Sequence, residues 1–398
     1  MALSPRRFWQ PTLLGLCVLS GAACSSTPSE SGTPTGTAGQ ATGTAGTTST
    51  ASGGGGASSS AGTSGSIGAA GSSTVTAGTG GTLSGTGGAS AGGAGGAVPA
   101  GGTGGYTADT FWDPSNIPAA KNVMIFKFLN RSNGKYTDAQ MFWSFKNDSI
   151  GVNETHSFAE EPFYDMPANG SGRMYFYLEE PNGKYYDFIE FTIGGTPPVF
   201  NGNTTRVDAF GLKIAMRMHC ADNFDVSVGE NLATFQEDRA VTFQKYLAEV
   251  PAEFQGSGSS QMPYRIVEPG AAGFDANGMY QNYYDSWADQ LWAANGITVP
   301  KPGPNGNGID SPDLSAALYR HVGGVAGTFD SQGKLLNKSL WADSTTFYTT
   351  APADYYAKFW HERAINGKAY GFPYDDVGGY SSYISHGSPQ YLEVAVGW

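Results

Sequence analysis

Glu190 and Asp208 are the two side chains whose type and spacing best suit acid and base chemistry. Glu190 lies in the run 185–193, where alternation places Ile189 and Phe191 on one face and Glu190 with Phe188 on the other. A carboxyl group among aromatic rings resists ionisation, because desolvation disfavours its charged form. We therefore expect Glu190 to donate a proton. The alternative is a glutamate on a solvated strand face.

Asp208 follows Glu190 after a turn at 194–198 that contains two glycines and two prolines. Two adjacent strands joined by this loop place Asp208 across a cleft from Glu190. Thr204, Thr205 and Arg206 provide polar surroundings, which keep a carboxylate ionised and able to activate a water molecule. The alternative is that Asp208 pairs with Arg206 or caps a turn.

Short apolar runs with β-type residues indicate the elements that position this pair. They are separated by Asn-Gly turn signals at 133–134, 169–170 and 182–183. The predicted strands cover 123–129, 141–145, 173–178, 185–193 and 206–218. This pattern is typical of an antiparallel β-sandwich or barrel.

A helical block follows the strands. Thr234 and Glu237 have the spacing of a capping box, which predicts a helix from 234 to about 249. Further helices are predicted at 279–294, 312–321 and 352–365, with Trp287, Trp292 and Trp360 in the core. Strands are expected again at 368–372 and 390–396. The order predicts a β lobe (106–230 and 367–398), an α/β lobe (231–366) and a groove between them.

The composition of the first 105 residues predicts an export signal followed by a flexible tether. Arg6 and Arg7 precede an apolar run at 13–19 and small residues at 21–23, which predicts a signal peptide over 1–24. Cys24 follows directly, where a lipoprotein signal would be cut and the cysteine acylated; the alternative is ordinary secretory cleavage near Ala23. Residues 25–105 are almost entirely Gly, Ala, Ser and Thr, so they predict a disordered linker. The protein is expected to be secreted, or to be a lipoprotein anchored at the cell surface or in the outer membrane.

The charge and cysteine content narrow the class of ligand. Before residue 106 only Arg6, Arg7 and Glu30 are charged, so the whole-chain charge of −12 becomes −13 for the rest. An acidic surface argues against nucleic acid and anionic membranes as partners, and it suits a neutral polysaccharide. Cys220 is the one cysteine of this part and is expected to be buried and inert. The five histidines show no ligand spacing, so neither a metal nor a cofactor is predicted.

Three segments together resemble glycoside hydrolase family 64, the laminaripentaose-producing β-1,3-glucanases, which are related in fold to thaumatin-like proteins. They are 187–192 (DFIEFT), 201–212 (NGNTTRVDAFGL) and 370–379 (YGFPYDDVGG). The resemblance implies a thaumatin-like β-sandwich or barrel lobe plus a mixed α/β lobe around a wide groove. The first two segments are specific as a pair, whereas the third is weaker alone.

The resemblance also implies roles for residues. Glu190 falls on the family's general acid and Asp208 on its general base, and hydrolysis of β-1,3-glucan proceeds with inversion at the anomeric carbon. Such enzymes hold their carboxyl groups roughly 6.5 to 9.5 Å apart. Substrate contacts are expected from six residues: Thr192, Asn203, Thr205, Tyr374, Asp375 and Asp376.

One departure from the family concerns the stretch 194–201, which lacks an expected tryptophan. Phe200 is the residue that could take its place, and product length therefore does not transfer. We expect a monomer that acts on β-1,3-glucan. The alternative is a glucan-binding surface lipoprotein without turnover.

Overall fold

The computed structural model of the chain describes residues 106–398, in which thirteen strands and seven α-helices are found. The predicted signal peptide, linker and Cys24 lie outside the described residues. The strands are β1 (Ile125–Arg131), β2 (Met141–Asn147), β3 (Val152–Ser157), β4 (Phe163–Asp165), β5 (Gly170–Leu178), β6 (Tyr186–Gly194), β7 (Val199–Asn203), β8 (Ala209–Phe210), β9 (Lys213–Cys220), β10 (Asp225–Gly229), β11 (Ile266–Val267), β12 (Tyr383–Gly387) and β13 (Pro389–Gly397). The helices are α1 (Ala108–Phe111), α2 (Leu232–Gln236), α3 (Arg239–Glu249), α4 (Gln255–Ser259), α5 (Asp285–Asn295), α6 (Pro312–Arg320) and α7 (Tyr355–His361).

Two sheets form a β-sandwich. One has five strands in the order β10-β9-β13-β1-β4, and the other has six in the order β12-β7-β6-β5-β2-β3. All neighbours are antiparallel except β1 and β13, which are parallel. Alternate residues of both sheets fill the core between them, among them Phe126, Phe145, Phe191, Met216 and Val394. The mainly β fold class is confirmed, as a sandwich and not as a closed barrel over the described residues.

A second hydrophobic core belongs to the helical region. It joins helices α3, α5, α6 and α7, and it includes the buried Trp287, Trp292 and Trp360, as the sequence predicted. Phe210 and Phe372 join this core from outside the segment 231–366. The short pair β8 and β11 links it to the segment that follows β7.

The strand predicted at 206–218 breaks into β8 and β9 around Gly211. The backbone N–H groups of Gly211 and Leu212 donate to Asp187 Oδ2, at 2.8 and 3.0 Å. Because these donors are committed to a buried carboxylate, they do not pair with a neighbouring strand at this point. The prediction of a strand at 368–372 is also wrong, since only a single β-bridge, between Thr205 and Tyr370, forms there.

The helix predicted from Thr234 is two helices, α2 and α3. Asn231 caps the first by accepting the N–H of Thr234 at 3.0 Å, and Asp238 caps the second by accepting that of Ala240 at 2.7 Å. The carboxylate of Glu237 binds Thr242 and Lys245 instead. The capping box was therefore a wrong interpretation. Helices α5 and α7 also begin several residues later than predicted, at Asp285 and Tyr355.

Candidate active site

Glu190 lies in the middle of β6, on the outer face of the six-stranded sheet. Ile189 and Phe191 point into the sandwich core, as the alternation predicted. The side chain of Glu190 is 33% exposed. The strand thus fixes a carboxyl group on a half-open surface, with the ring of Phe188 on the same face.

Asp208 lies in a bend between β7 and β8, and its side chain is 48% exposed. Its backbone carbonyl accepts the N–H of Glu268 at 3.2 Å, at the edge of β11. The segment is anchored by Arg206, whose guanidinium is fully buried. Arg206 pairs with Asp187 and Glu230. The alternative that Asp208 pairs with Arg206 is therefore wrong.

Arg173 on β5 joins the two candidate carboxylates. Its Nε lies 2.8 Å from Glu190 Oε1 and its Nη1 lies 2.9 Å from Asp208 Oδ2. Because one planar guanidinium binds both, the two bound oxygens are at most about 8 Å apart. This limit is compatible with the roughly 6.5 to 9.5 Å of inverting pairs.

Sequence reasoning missed Arg173, although a signal for it was present. In the β5–β6 register Arg173 stands directly opposite Glu190, and its guanidinium lies 4.2 Å from the ring centre of Phe188. Pairing the runs 173–178 and 185–193 across the Asn-Gly turn would have placed the two residues side by side. The aromatic surroundings predicted for Glu190 therefore include a cation.

Asn203 and Thr192 lie on the same open face. Asn203 stands opposite Glu190 in the β6–β7 register, and its Oδ1 is buried without a hydrogen-bond partner among residues 106–398. An unpaired buried acceptor is costly, so this oxygen is left to accept a hydrogen bond from a bound water molecule. Thr192 is exposed, two residues from Glu190 along β6. Their predicted contact with substrate stays a prediction.

Thr205 does not fit its predicted role. It is 3% exposed, and its hydroxyl accepts the N–H of Val207 at 3.1 Å. The residue shapes the bend that carries Asp208 and does not present a surface to sugar.

Asp375 is also misassigned by the sequence, because it lies inside the protein. It is 0% exposed; Oδ1 pairs with Arg320 at 2.9 Å, while Oδ2 lies 3.0 Å from His361 Nε2 and 2.8 Å from the N–H of Gly371. Burial opposes its charge, but His361, Arg320 and Gly371 together hold the pKa of Asp375 below its usual range. Asp375 thus fixes the loop and has no oxygen left for substrate.

Tyr374 and Asp376 flank Asp375 and remain accessible. Asp376 is exposed, whereas Tyr374 is half-buried and lines a cavity of about 380 Å³ with Tyr319 and Pro373. Arg320 also donates to the carbonyl oxygens of Asp375 and Val377, which fixes the backbone of this loop. The predicted contacts of Tyr374 and Asp376 with sugar stay predictions.

Tyr370 and Glu268 complete the surroundings of the candidate pair. Burial raises the pKa of Tyr370, and the carboxylates of Asp376, Asp375 and Glu190 add to the rise. Burial also raises the pKa of Glu268, against hydrogen bonds from the N–H groups of Ala271 and Gly270. Asp275 and Asp208 contribute further to that rise. Neither residue was singled out from the sequence.

Phe200 cannot replace the missing tryptophan as a sugar contact. It is 0% exposed and packs in the sandwich core, where its ring stacks on Phe191 with centroids 6.2 Å apart. Cys220 is buried, as predicted, and burial raises the pKa of its thiol to about 11. Over residues 106–398 no group of three or more His, Cys, Asp or Glu side chains is placed to hold a metal ion.

Residues 167–298 and 305–396 match glycoside hydrolase family 64, described as β-1,3-glucanase. The chain belongs to this family. The matched residues include Arg173, Glu190, Asp208 and the loop around Asp375. The family assignment suggested by the three sequence segments is confirmed.

Solved structures of family 64 share the fold. A laminaripentaose-producing β-1,3-glucanase from Paenibacillus barengoltzii is 29% identical with a TM-score of 0.57, over 72% of this chain and 78% of that one. A β-1,3-glucanase domain from Clostridium beijerinckii has the same TM-score at 21% identity, over 71% of this chain and 100% of that one.

A curated relative is the glucan endo-1,3-beta-glucosidase of Cellulosimicrobium cellulans. It is 47% identical over 49 residues, which are 12% of this chain and 9% of the relative. The matching segment therefore spans less than a tenth of that relative's length.

Proposed function

We propose that this family 64 protein hydrolyses β-1,3-glucan, with Glu190 as the general acid and Asp208 as the general base. The observation that carries the proposal is the bridge through Arg173. Its guanidinium binds both carboxylates, which are partly exposed, and so holds them close together. The family and the names of its relatives point to the same substrate.

The proposed reaction is a single displacement with inversion. Asp208 takes a proton from a water molecule whose oxygen attacks the anomeric carbon, while Glu190 gives a proton to the departing glycosidic oxygen. Arg173 binds only Oε1 of Glu190, which leaves Oε2 to carry that proton. Asn203 is half-buried and stands opposite Glu190 on β7, and its buried Oδ1 is left to accept a hydrogen bond from a bound water molecule beside the pair.

The acidic character of the chain supports a neutral substrate. The net charge is −12, and Glu190, Asp208, Glu268, Asp275 and Asp376 lie around the candidate site. A polyanion would be repelled, whereas an uncharged polysaccharide pays no such penalty. We also propose that the protein acts as a monomer.

The test is incubation of the purified protein with laminarin and with curdlan, followed by product analysis. We expect soluble oligosaccharides, and proton NMR at the earliest times should show α-anomers from the β-linked substrate. A β-anomer as first product would contradict inversion while leaving hydrolysis intact. Binding of curdlan without any product release would support the alternative of a glucan-binding protein without turnover.

We further propose export, with Cys24 carrying a lipid in an outer membrane. The support is the sequence alone: two arginines, an apolar run and small residues directly before Cys24. Mass spectrometry of the mature protein's N-terminus tests this. An acylated Cys24 is expected; an unmodified N-terminus at Cys24 would indicate secretion without an anchor.

A further inference from the structure

A polar shelf with two tyrosines adjoins the candidate catalytic pair on the outer face of the six-stranded sheet. We call it the tyrosine shelf and define it by Tyr175 and Tyr177 on β5, Ser144 and Lys146 on β2, and Asn153 and Thr155 on β3. With Arg173 and Asn182 these residues line an open cavity of about 470 Å³. This volume lies within the range of small-ligand sites.

The shelf continues the catalytic pair along the β5–β6 ladder. Arg173 faces Glu190, the next outward pair is Tyr175 with Phe188, and the third is Tyr177 with Tyr186. Successive outward pairs on a strand are about 7 Å apart. The ring of Tyr175 is therefore one step away from the group proposed to donate the proton.

The two tyrosine rings are held in place by their neighbours. They are nearly parallel, with an interplanar angle of 17° and centroids 6.1 Å apart. Tyr175 packs on Phe188 at 5.2 Å and Tyr177 on Tyr186 at 6.0 Å. A ligand that binds here orders few side chains, because the rings already have fixed orientations.

The polar groups of the shelf suit a neutral ligand rich in hydroxyls. Thr155 donates to Ser144 at 2.9 Å, and Asn153 is an exposed amide that both donates and accepts. Of the two cations that line the cavity, Lys146 lies 3.5 Å from Asp148 in an exposed ion pair, and Arg173 binds both catalytic candidates. No carboxylate is among the residues that line the cavity.

We propose that the tyrosine shelf binds sugar units of β-1,3-glucan on one side of the cleaved bond, while Asn203 and Thr192 serve the other side. The strand order β7-β6-β5-β2-β3 places Asn203 and the shelf on opposite sides of Glu190. The β5–β6 register also places Thr192 and Tyr175 on opposite sides of Glu190, so the substrate runs obliquely across the strands of the sheet. This inference rests on the proposed function, because it takes the same polysaccharide as the ligand.

The test compares long and short substrates in the full-length protein. Tyr175→Ala and Asn153→Ala should raise KM for laminarin about threefold to tenfold, in line with the loss of one aromatic or hydrogen-bonding contact. For Asn153→Ala, KM for a short β-1,3-linked oligosaccharide and kcat should stay unchanged, because Asn153 on β3 is three strands, about 14 Å, from Glu190 and short chains do not reach it. Tyr175 lies one step from Glu190, so Tyr175→Ala should raise KM for both substrates. Asn153 is exposed, so its variant folds even if Tyr175→Ala does not.

Tyr391→Ala is the matched control. Tyr391 lies on β13 in the other sheet, half-buried and stacked on His219 with centroids 5.0 Å apart. Its loss removes a similar aromatic pair from a strand surface that does not adjoin Glu190, so both KM values should stay as in the parent.

Calorimetric titration of laminarin into Glu190→Gln separates this inference from the proposed function. If the parent releases no product from β-1,3-glucan, hydrolysis is refuted, yet weaker binding on adding Tyr175→Ala or Asn153→Ala would still support the shelf. If the parent hydrolyses glucan and neither variant changes laminarin affinity or KM, the shelf is refuted and the proposed function stands.

Discussion

Arg206 and Arg173 each bridge two carboxylates, and the two bridges differ in burial. Arg206 binds Asp187 at 2.9 Å and Glu230 at 2.7 Å, with side chains only 2%, 0% and 6% exposed. Arg173 binds Glu190 at 2.8 Å and Asp208 at 2.9 Å, but these side chains are 35%, 33% and 48% exposed. We call them the inner and the outer bridge.

The inner bridge has no hydrogen-bonding capacity left for a ligand. Asp187 also accepts the N–H groups of Gly211, Leu212 and Phe188, and Glu230 accepts that of Ile214. A buried charge needs such complete pairing, because desolvation is costly. The outer bridge keeps oxygens open to solvent. Burial therefore distinguishes a structural bridge from one that is available for chemistry. Both bridges nevertheless take residues from the segments 187–192 and 201–212.

The largest effect is expected from neutralising either acid of the outer bridge. Glu190→Gln and Asp208→Asn should each lower kcat on laminarin by about 10² to 10⁴, the usual contribution of general acid or base catalysis. The thermal unfolding midpoint should stay near that of the parent, because both side chains are partly exposed. Residual activity close to the parent's would remove the residue from its proposed role.

A large loss of stability is expected from the inner bridge. Arg206→Met leaves Asp187 and Glu230 buried without their cation, which should cost about 3 to 5 kcal/mol in the free energy of unfolding. Urea unfolding followed by circular dichroism measures it. The same substitution at Arg173 is the matched control, and equal losses at both sites would contradict the division between the bridges.

The sequence could predict what depends on one strand or one segment. The alternation around Glu190 identified its open face, and the segment 201–212 brought Asp208 to attention. It could not show that Asp375, next to the exposed Asp376, turns inward to Arg320 and His361. That outcome depends on contacts with α6 and α7, which are distant in sequence.

The same limit explains the errors in the fold. Thr234 and Glu237 have capping-box spacing, but Asn231 and Asp238 cap the helices because the chain enters them from β10 and breaks before Arg239. Phe200 is an aromatic residue close to a family segment, which suggested a surface contact. Its position in the alternation of β7 instead directs its side chain into the core. In a short strand next to a turn, the face of the sheet that each side chain takes is fixed by the register with the neighbouring strand. A local sequence pattern does not contain that register.

Another buried arginine, Arg320, brings a titratable histidine into the comparison. Arg320 and His361 share Asp375, and His361 Nδ1 lies 2.8 Å from the carbonyl oxygen of Gly367. Burial disfavours the charge on His361, but Asp375 and that carbonyl outweigh it and raise the pKa of His361. Both ring nitrogens thus face acceptors, as a charged imidazolium requires.

We expect His361→Gln to cost about 1 to 3 kcal/mol in unfolding free energy at low pH. A raised folded-state pKa gives stability that is complete below the unfolded value of about 6.5 and is lost as pH rises through the folded value. The difference between parent and variant should therefore shrink above pH of about 6.5. Asp354, whose pKa burial raises to about 7, is present in both proteins, so the difference isolates His361. A difference that is constant with pH would show that His361 acts only by packing.

The smallest effect on stability is expected at the outer bridge itself. Arg173→Met should cost less than about 1 kcal/mol in unfolding free energy, because the exposed pairs it breaks are screened by solvent and the methionine sulfur takes the place of the guanidinium against the ring of Phe188. Activity should fall about tenfold in kcat with little change in KM, since the two acids lose their fixed separation. Arg173→Lys keeps the charge but not the planar fork that reaches both carboxylates, so it should rescue stability and not kcat. Full rescue of kcat by lysine would mean that charge alone matters, and the bridge would then be no positioning device.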